Sequence, residues 1–185
     1  MPENTLRNSV QAWTFLALGD SRQFAGNTGY DDSPARHYRY DSTVPNHRHV
    51  GVGDLAVIRD ADRALGMGWI GRIDEYPGRK LRRRCPQCGT TALKTRHEKQ
   101  PRFRCDNGHE CDHPREETVE VVCYCAEYGN SWRPLHAHID AATLAPLYVA
   151  KAQQHAIRKL HFEHFAAIFR ELPLHISEDW WDGVL

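Results

Sequence analysis

Cys85-Pro86-Gln87-Cys88-Gly89, followed after sixteen further positions from Cys88 by Cys105-Asp106-Asn107-Gly108-His109-Glu110-Cys111, is the stretch that decides how the chain is organised. Two thiolates separated by two residues converge on one ion, and Gly89 permits the turn that aims backbone amides at sulfur. Cys105 supplies a third thiolate. For the fourth ligand the tight turn Asp106-Asn107-Gly108 favours His109, whose imidazole reaches where a cysteine two residues on would normally sit; Cys111 is the alternative. Either choice gives Zn²⁺ four protein ligands and leaves no open position for water or substrate, so the ion is expected to be structural. Short strands at Thr91–Lys94 and Arg102–Arg104 complete the pattern of a zinc ribbon spanning 79–115. All six cysteines lie within the 41 positions from Cys85 to Cys125, a clustering that favours metal over disulfides in a reducing compartment. Cys123 and Cys125 alternate with Val122 and Tyr124 and read as small strand residues.

The same window carries the charge. The chain is formally neutral, with 24 Lys plus Arg against 24 Asp plus Glu, yet Arg79 to Arg104 holds ten basic residues and one acid, a local +9 over 26 positions. Such a segment offers a polyanion a binding field; the ordinary alternative is a solvated surface loop.

Outward from the ribbon, Ala12–Leu18 reads as a buried opening strand, and Val50–Arg59 as a turn feeding a second, with Ala64–Ile73 as its hairpin partner. Thr118–Cys125 resumes strand character after the ribbon. The chain leaves a sheet and returns to it, which predicts an α+β fold: a small β-barrel of five or more strands over 10–78 and 116–175, with the ribbon inserted. A C-terminal helix capped by Thr143 is expected to run through Leu144, Leu147, Ile157, Leu160, Phe165 and Phe169 until Pro173. His155, His161 and His164 gather on or near one side of it and are expected to face solvent, and His136-Ala-His138 is too short a pattern to define a metal site.

With 185 residues, 41% hydrophobic and 26% charged, the chain has material for a core and is neither disordered nor fibrous. It has no apolar run of the roughly 18–20 residues a membrane helix needs, and Met1–Val10 lacks the order of a signal peptide, so a cytoplasmic location is expected. Catalytic signatures are missing: there is no phosphate-binding P-loop, and Gly66-Met67-Gly68-Trp69-Ile70-Gly71 matches a dinucleotide-binding spacing only inside an expected hairpin. No nucleophile elbow or zinc-protease helix occurs, and the cysteines nearest the arginines are those expected to hold zinc, so no catalytic site is expected.

Tyr38-Arg-Tyr40-Asp41-Ser42-Thr-Val-Pro45-Asn46-His47-Arg48, then Gly53-Asp54-Leu-Ala-Val-Ile-Arg59-Asp60, Leu65-Gly-Met-Gly and the ribbon, resembles the N-terminal reader domain of modification-dependent, HNH-type restriction endonucleases, in the EVE/PUA-like superfamily. The similarity covers about residues 10–135. It implies a pseudobarrel that flips a modified base out of double-stranded DNA into an aromatic pocket, the nuclease half being supplied elsewhere. A flipped base needs rings to stack on and partners for its Watson–Crick edge. Tyr30, Tyr38, Tyr40 and Trp132 are the ring candidates, and Asp41, Ser42, Asn46 and His47 the edge candidates; an acceptor there separates the cytosine amino group from the thymine carbonyl. For each ring the alternative is ordinary core. Arg48, Arg59, Arg82, Arg83, Arg84, Lys94 and Arg96 are expected at phosphates, which position a protein without specifying sequence. The expected ligand is 5-methyl- or 5-hydroxymethylcytosine in DNA. An RNA-binding PUA-like protein and a zinc-ribbon protein-interaction adaptor are the competing expectations.

Overall fold

In the computed structural model, which describes residues 10–17, 33–135, 139–151, 155–171 and 176–181, the run Ala12–Leu16 forms strand β1. His37–Asp41 forms β2, Leu55–Arg59 forms β3 and Ala64–Trp69 forms β4. β3 lies parallel to β1, with Ala12 opposite Leu55, and turns back antiparallel into β4 as the hairpin pattern predicts. Further on, Arg133–Pro134 (β10) borders β4 and Ile157–Leu160 (β11) borders β1, giving a five-stranded sheet ordered β10-β4-β3-β1-β11.

Both faces of this sheet are covered. Trp13, Phe15, Ala56 and Ile58 pack with Tyr38, Tyr40, Ala126 and Tyr128 on one side. Ala12, Leu55 and Val57 pack on the other with Leu144, Phe165, Phe169 and Trp180. That double cover is why Leu55-Ala-Val-Ile58 shows no polar alternation: a strand buried on both sides has no position for a polar residue. The helices over the second face are α1 (Ala141–Leu144), α2 (Phe162–Glu171) and α3 (Glu178–Trp181). Trp69 Nε1 donates to the Trp180 carbonyl at 2.6 Å and Trp180 Nε1 to the Ser131 carbonyl at 2.9 Å, so both buried indoles have partners.

A second sheet, ordered β2-β9-β5, uses the long strands β5 (Arg72–Arg84) and β9 (Arg115–Glu127), with Tyr40 opposite Tyr124 and Asp41 opposite Cys123. The edge place of β5 tolerates Pro77, because an edge strand need not donate every amide. The chain divides within β5 and β9 into two compact units, one holding the five-stranded sheet and its helices, the other running Tyr76–Val122. The second unit contains a three-stranded sheet of β6 (Leu93–Thr95), β7 (Phe103–Cys105) and β8 (Glu110–Cys111), close to the two short strands expected from sequence.

The fold is α+β and strand-rich, as expected; the expected barrel is not seen as a closed sheet, and the expected C-terminal helix is corrected. Among the described residues the strands form open sheets and do not close into a barrel. With both faces of the larger sheet covered, closure is not needed to bury it. The continuous helix from Thr143 does not form either. Asp140 caps α1, its carboxylate accepting from Thr143 N and Oγ1 at 2.8 Å each, and a 3-10 turn at Ala145–Leu147 follows. Ile157 and Leu160 lie three apart, which reads as one helix face; in β11 the same spacing sends them to opposite faces of a sheet that buries both.

Gly66 and Gly68 in β4 are packing glycines. A Cβ on Gly66 would fall 2.1 Å from Trp132 Cζ2, with two more ring atoms within 2.7 Å. Gly66→Ala is therefore expected to displace Trp132 at a cost of about 1–3 kcal/mol, as overpacking does elsewhere. Thermal unfolding monitored by circular dichroism reads the loss, and an unchanged midpoint would mean that the indole moves aside freely.

Candidate functional site

The candidate metal ligands come from two turns built alike. In the first, Gly89 at φ +72° returns its amide to the Cys85 carbonyl at 2.9 Å, while Cys85 N donates to the Thr90 carbonyl. In the second, Gly108 at φ +85° returns its amide to the Cys105 carbonyl at 2.9 Å, and Cys105 N donates to the His109 carbonyl. Both turns need a left-handed residue, which glycine adopts without a steric penalty. They bring Cys85, Cys88, Cys105 and His109 together, with all four ligand atoms within 4.8 Å of one another.

The edges of this group are informative. Cys88 Sγ lies 3.8 Å from Cys105 Sγ, and His109 Nδ1 lies 3.6 Å from Cys105 Sγ and 3.8 Å from Cys85 Sγ. A tetrahedron with metal–sulfur bonds of about 2.3 Å and metal–nitrogen bonds of about 2.05 Å has edges of about 3.8 Å between sulfurs and about 3.6 Å from sulfur to nitrogen. The cluster thus has the size of a four-coordinate metal site. Cys85 and Cys105 are buried, whereas Cys88 is exposed and receives a hydrogen bond from Asn107 Nδ2 at 3.4 Å. Hydrogen bonds from the Thr90 backbone and the Asn107 side chain pull the Cys88 thiol down to about 6, into the range where a thiolate is available as ligand. Cys111, the alternative fourth ligand, is outside the group; it packs against the small cluster of Leu93, Phe103 and the two buried cysteines, and burial pushes its thiol up.

The basic segment is less free than its sequence suggests. Arg83 pairs with Glu116 at 2.8 Å, Arg84 with Glu117 at 2.6 Å, Arg96 with Glu110 at 2.7 Å and Lys94 with Asp106 at 3.3 Å. Across Tyr76–Val122 eleven Lys and Arg face seven Asp and Glu, leaving a net +4. Arg82 is half-buried and has no ion pair among the described residues. In the other unit Arg48 is exposed on the turn after β2, and Arg59 Nη1 donates to the Asp60 carbonyl at 3.0 Å.

The residues expected around a base are placed as follows among the described residues. Tyr38 is fully buried, its hydroxyl donating to the Leu16 carbonyl at 3.0 Å and its ring packed 5.0 Å from Phe15. Tyr40 is also buried, stacked on Tyr124 at 5.0 Å and 15°, and His47 lies 5.8 Å from the same Tyr124 ring. His47 Nδ1 is fixed to the Val44 carbonyl at 2.8 Å, while His47 Nε2 and Tyr40 Oη are buried without a hydrogen-bond partner among the described residues. Burial, the largest cause, and the neighbouring Tyr124 push the Tyr40 hydroxyl up, so it remains a neutral donor. Asp41 is buried and accepts from Thr43 N at 2.7 Å, which makes it a turn-forming carboxylate. Ser42 is half-buried beside it. Asn46, at φ +70°, donates through Nδ2 to the Ile157 carbonyl at 2.8 Å. Trp132 lies over Gly66 and 5.8 Å from Tyr128. Tyr30 is outside the described residues. Tyr124, which the sequence reading did not name, joins Tyr40 and His47; its signal was its place in the β9 alternation opposite Tyr40.

No family model, curated protein or solved structure matches the chain. No helix among the described residues is long and apolar enough to cross a membrane. The fold is α+β with a Cys3His cluster able to hold a metal ion in the unit Tyr76–Val122.

Proposed function

We propose that the protein is a DNA-binding module that recognises a modified base, 5-methyl- or 5-hydroxymethylcytosine, and that it targets a modification-dependent restriction activity while carrying no catalytic site of its own. The fold is read as an EVE/PUA-like variant with an inserted zinc ribbon, Zn²⁺ being the ion that matches three thiolates and one imidazole in a closed tetrahedron. When bound, the metal contributes folding energy to the ribbon and no chemistry.

The observation that carries the reading lies in the segment resembling modified-base readers. Tyr40 and His47 come together there around Tyr124, and Tyr40 Oη and His47 Nε2 are buried without partners among the described residues. Orphaned polar atoms at an aromatic cluster are a cost to the free protein that a hydrogen-bonding ligand removes. Cations of the ribbon that are not committed to carboxylates, Arg82 among them, supply sequence-independent attraction to phosphate. A zinc-ribbon adaptor that docks a protein partner is the second reading, favoured by the carboxylate pairing of Arg83, Arg84, Arg96 and Lys94.

Fluorescence polarisation of the full chain against matched duplexes carrying cytosine, 5-methylcytosine, 5-hydroxymethylcytosine or N6-methyladenine, with an RNA duplex of the same sequence, tests the proposal. Tighter binding to one modified-cytosine DNA supports it; equal affinity for all the duplexes overturns it. In the same assay Arg82→Ala is expected to reduce the salt slope by about one, and Arg83→Ala by less, since its guanidinium already serves Glu116.

A further inference from the structure

A cavity of about 370 Å³ opens beside β1 and β11, lined in part by Trp13, His49, Arg158 and Lys159. The sequence drew attention to none of these four. His49 is exposed and Trp13 is 2% exposed; the two rings stack with planes 10° apart and centroids 6.5 Å apart, so the imidazole is the π face open to a ligand and the buried indole supports it. The indole is fixed from behind: its Nε1 donates to Asp54 Oδ2 at 3.0 Å, and Asp54 is held in turn by Gly51 N at 2.8 Å. Lys159, directly opposite Trp13 in the β1–β11 ladder, brings its Nζ to 5.8 Å from the indole centroid.

The rest of the lining narrows the ligand. Arg158 Nε is buried and has no hydrogen-bond partner among the described residues, although its guanidinium rests on Tyr148 and reaches the Ala150 carbonyl. No Asp or Glu lines the cavity among the described residues, whereas two permanent cations do. Gln11 and Asn46 add carboxamides, which carry a donor and an acceptor side by side, as a base edge does. The volume is at the small end of ligand pockets, enough for one ring with its sugar and phosphate.

We infer that this cavity binds a single nucleoside monophosphate unit, its base against His49, which Trp13 supports, and its phosphate at Arg158 and Lys159. The inference rests on the reading above only for the source of that unit: a nucleotide of the DNA strand turned out of the helix, or a free nucleotide. In either case the ring is held by stacking and the anion by charge-assisted hydrogen bonds.

Isothermal titration of the full chain with dCMP, deoxycytidine and inorganic phosphate is the test, together with Lys159→Glu and His49→Ala, two exposed positions whose variants are checked for an unchanged circular dichroism spectrum. Binding of dCMP at least tenfold tighter than of either fragment, weakened about tenfold or more by Lys159→Glu and several-fold by His49→Ala, supports the inference. Undetectable dCMP binding, or dCMP binding that neither variant alters, overturns it. The duplex assay repeated with Lys159→Glu separates the sources. If discrimination between modified and unmodified cytosine disappears with dCMP binding, the cavity receives the base of the DNA. If discrimination persists while dCMP binding is lost, the cavity serves a free nucleotide. Should the wild-type chain bind dCMP yet show no duplex discrimination, the cavity stands and the reader function falls.

Discussion

Stripping the metal with a chelator, or replacing Cys105 by Ser, is expected to unfold Tyr76–Val122 and leave the five-stranded sheet folded. The reason is a comparison of magnitudes. Among the described residues the apolar cluster around the four donors consists of Leu93 and Phe103 with Cys85, Cys105 and the partly buried Cys111, and Val121 is the other buried apolar residue of the unit. Three large apolar side chains, Leu93, Phe103 and Val121, contribute about 1.5–3 kcal/mol each when buried. A structural zinc ion contributes about 10–16 kcal/mol of apparent binding energy in comparable small modules. The exposed ion pairs of the unit contribute about 0–1 kcal/mol apiece and cannot replace it. Acidification acts in the same direction as the chelator, since protons compete with the metal for three thiolates and an imidazole, so metal is retained at neutral pH and lost as pH falls. Metal analysis of the purified protein should give one zinc per chain, and amide resonances of Tyr76–Val122 should collapse to random-coil positions on chelation. Persistence of their dispersion after complete metal removal would show that the four donors are not holding the unit together.

Asp54→Ala is expected to destabilise the other unit by about 2–4 kcal/mol, because it leaves the buried Trp13 indole N–H and the Gly51 amide without their shared acceptor. Asp54 is 2% exposed and its Oδ2 takes both bonds, at 3.0 and 2.8 Å. Water cannot substitute easily at a carboxylate this enclosed. In a chain of this size the loss corresponds to a fall in the unfolding midpoint of several degrees. Trp13→Phe, which removes the donor and keeps most of the ring, should cost less and should make a second substitution at Asp54 less damaging. Additive effects of the two changes in a double-mutant cycle would contradict the coupling. The Gly53-Asp54 pair, part of the resemblance to modified-base readers, therefore acts structurally. Gly53 takes the left-handed φ of +85°, and Asp54 ties the turn to β1.

The metal cluster was legible because its information is local. Two glycine-bearing turns fix where each pair of donors points, and the meeting of the two turns, Cys88 with Cys105 and Cys85 with His109, had to be inferred from spacing. The buried strands were legible for a similar reason, since their apolar runs are short and bounded by Gly-Asp and Arg-Asp turns. The residues proposed around a base were harder to rank. Composition cannot separate a tyrosine that closes a core, as Tyr38 does against Phe15, from one at a site with an unpartnered hydroxyl, as Tyr40 has; the difference lies in what a distant strand places above each ring.

By itself the sequence determined three candidate metal donors, Cys85, Cys88 and Cys105, narrowed the fourth to His109 or Cys111, and determined the strand character of β1, β3, β4 and β9, which follow from patterns among near neighbours along the chain; the structure decided for His109. Only the tertiary structure decided that Ile157–Leu160 is a strand, that Arg83, Arg84 and Arg96 are paired with carboxylates downstream, and that Trp13, His49, Arg158 and Lys159 share a cavity. Each of these depends on residues far apart in sequence, and a hydrophobic spacing of three or a run of arginines has the same appearance whichever partner the folded chain brings to it.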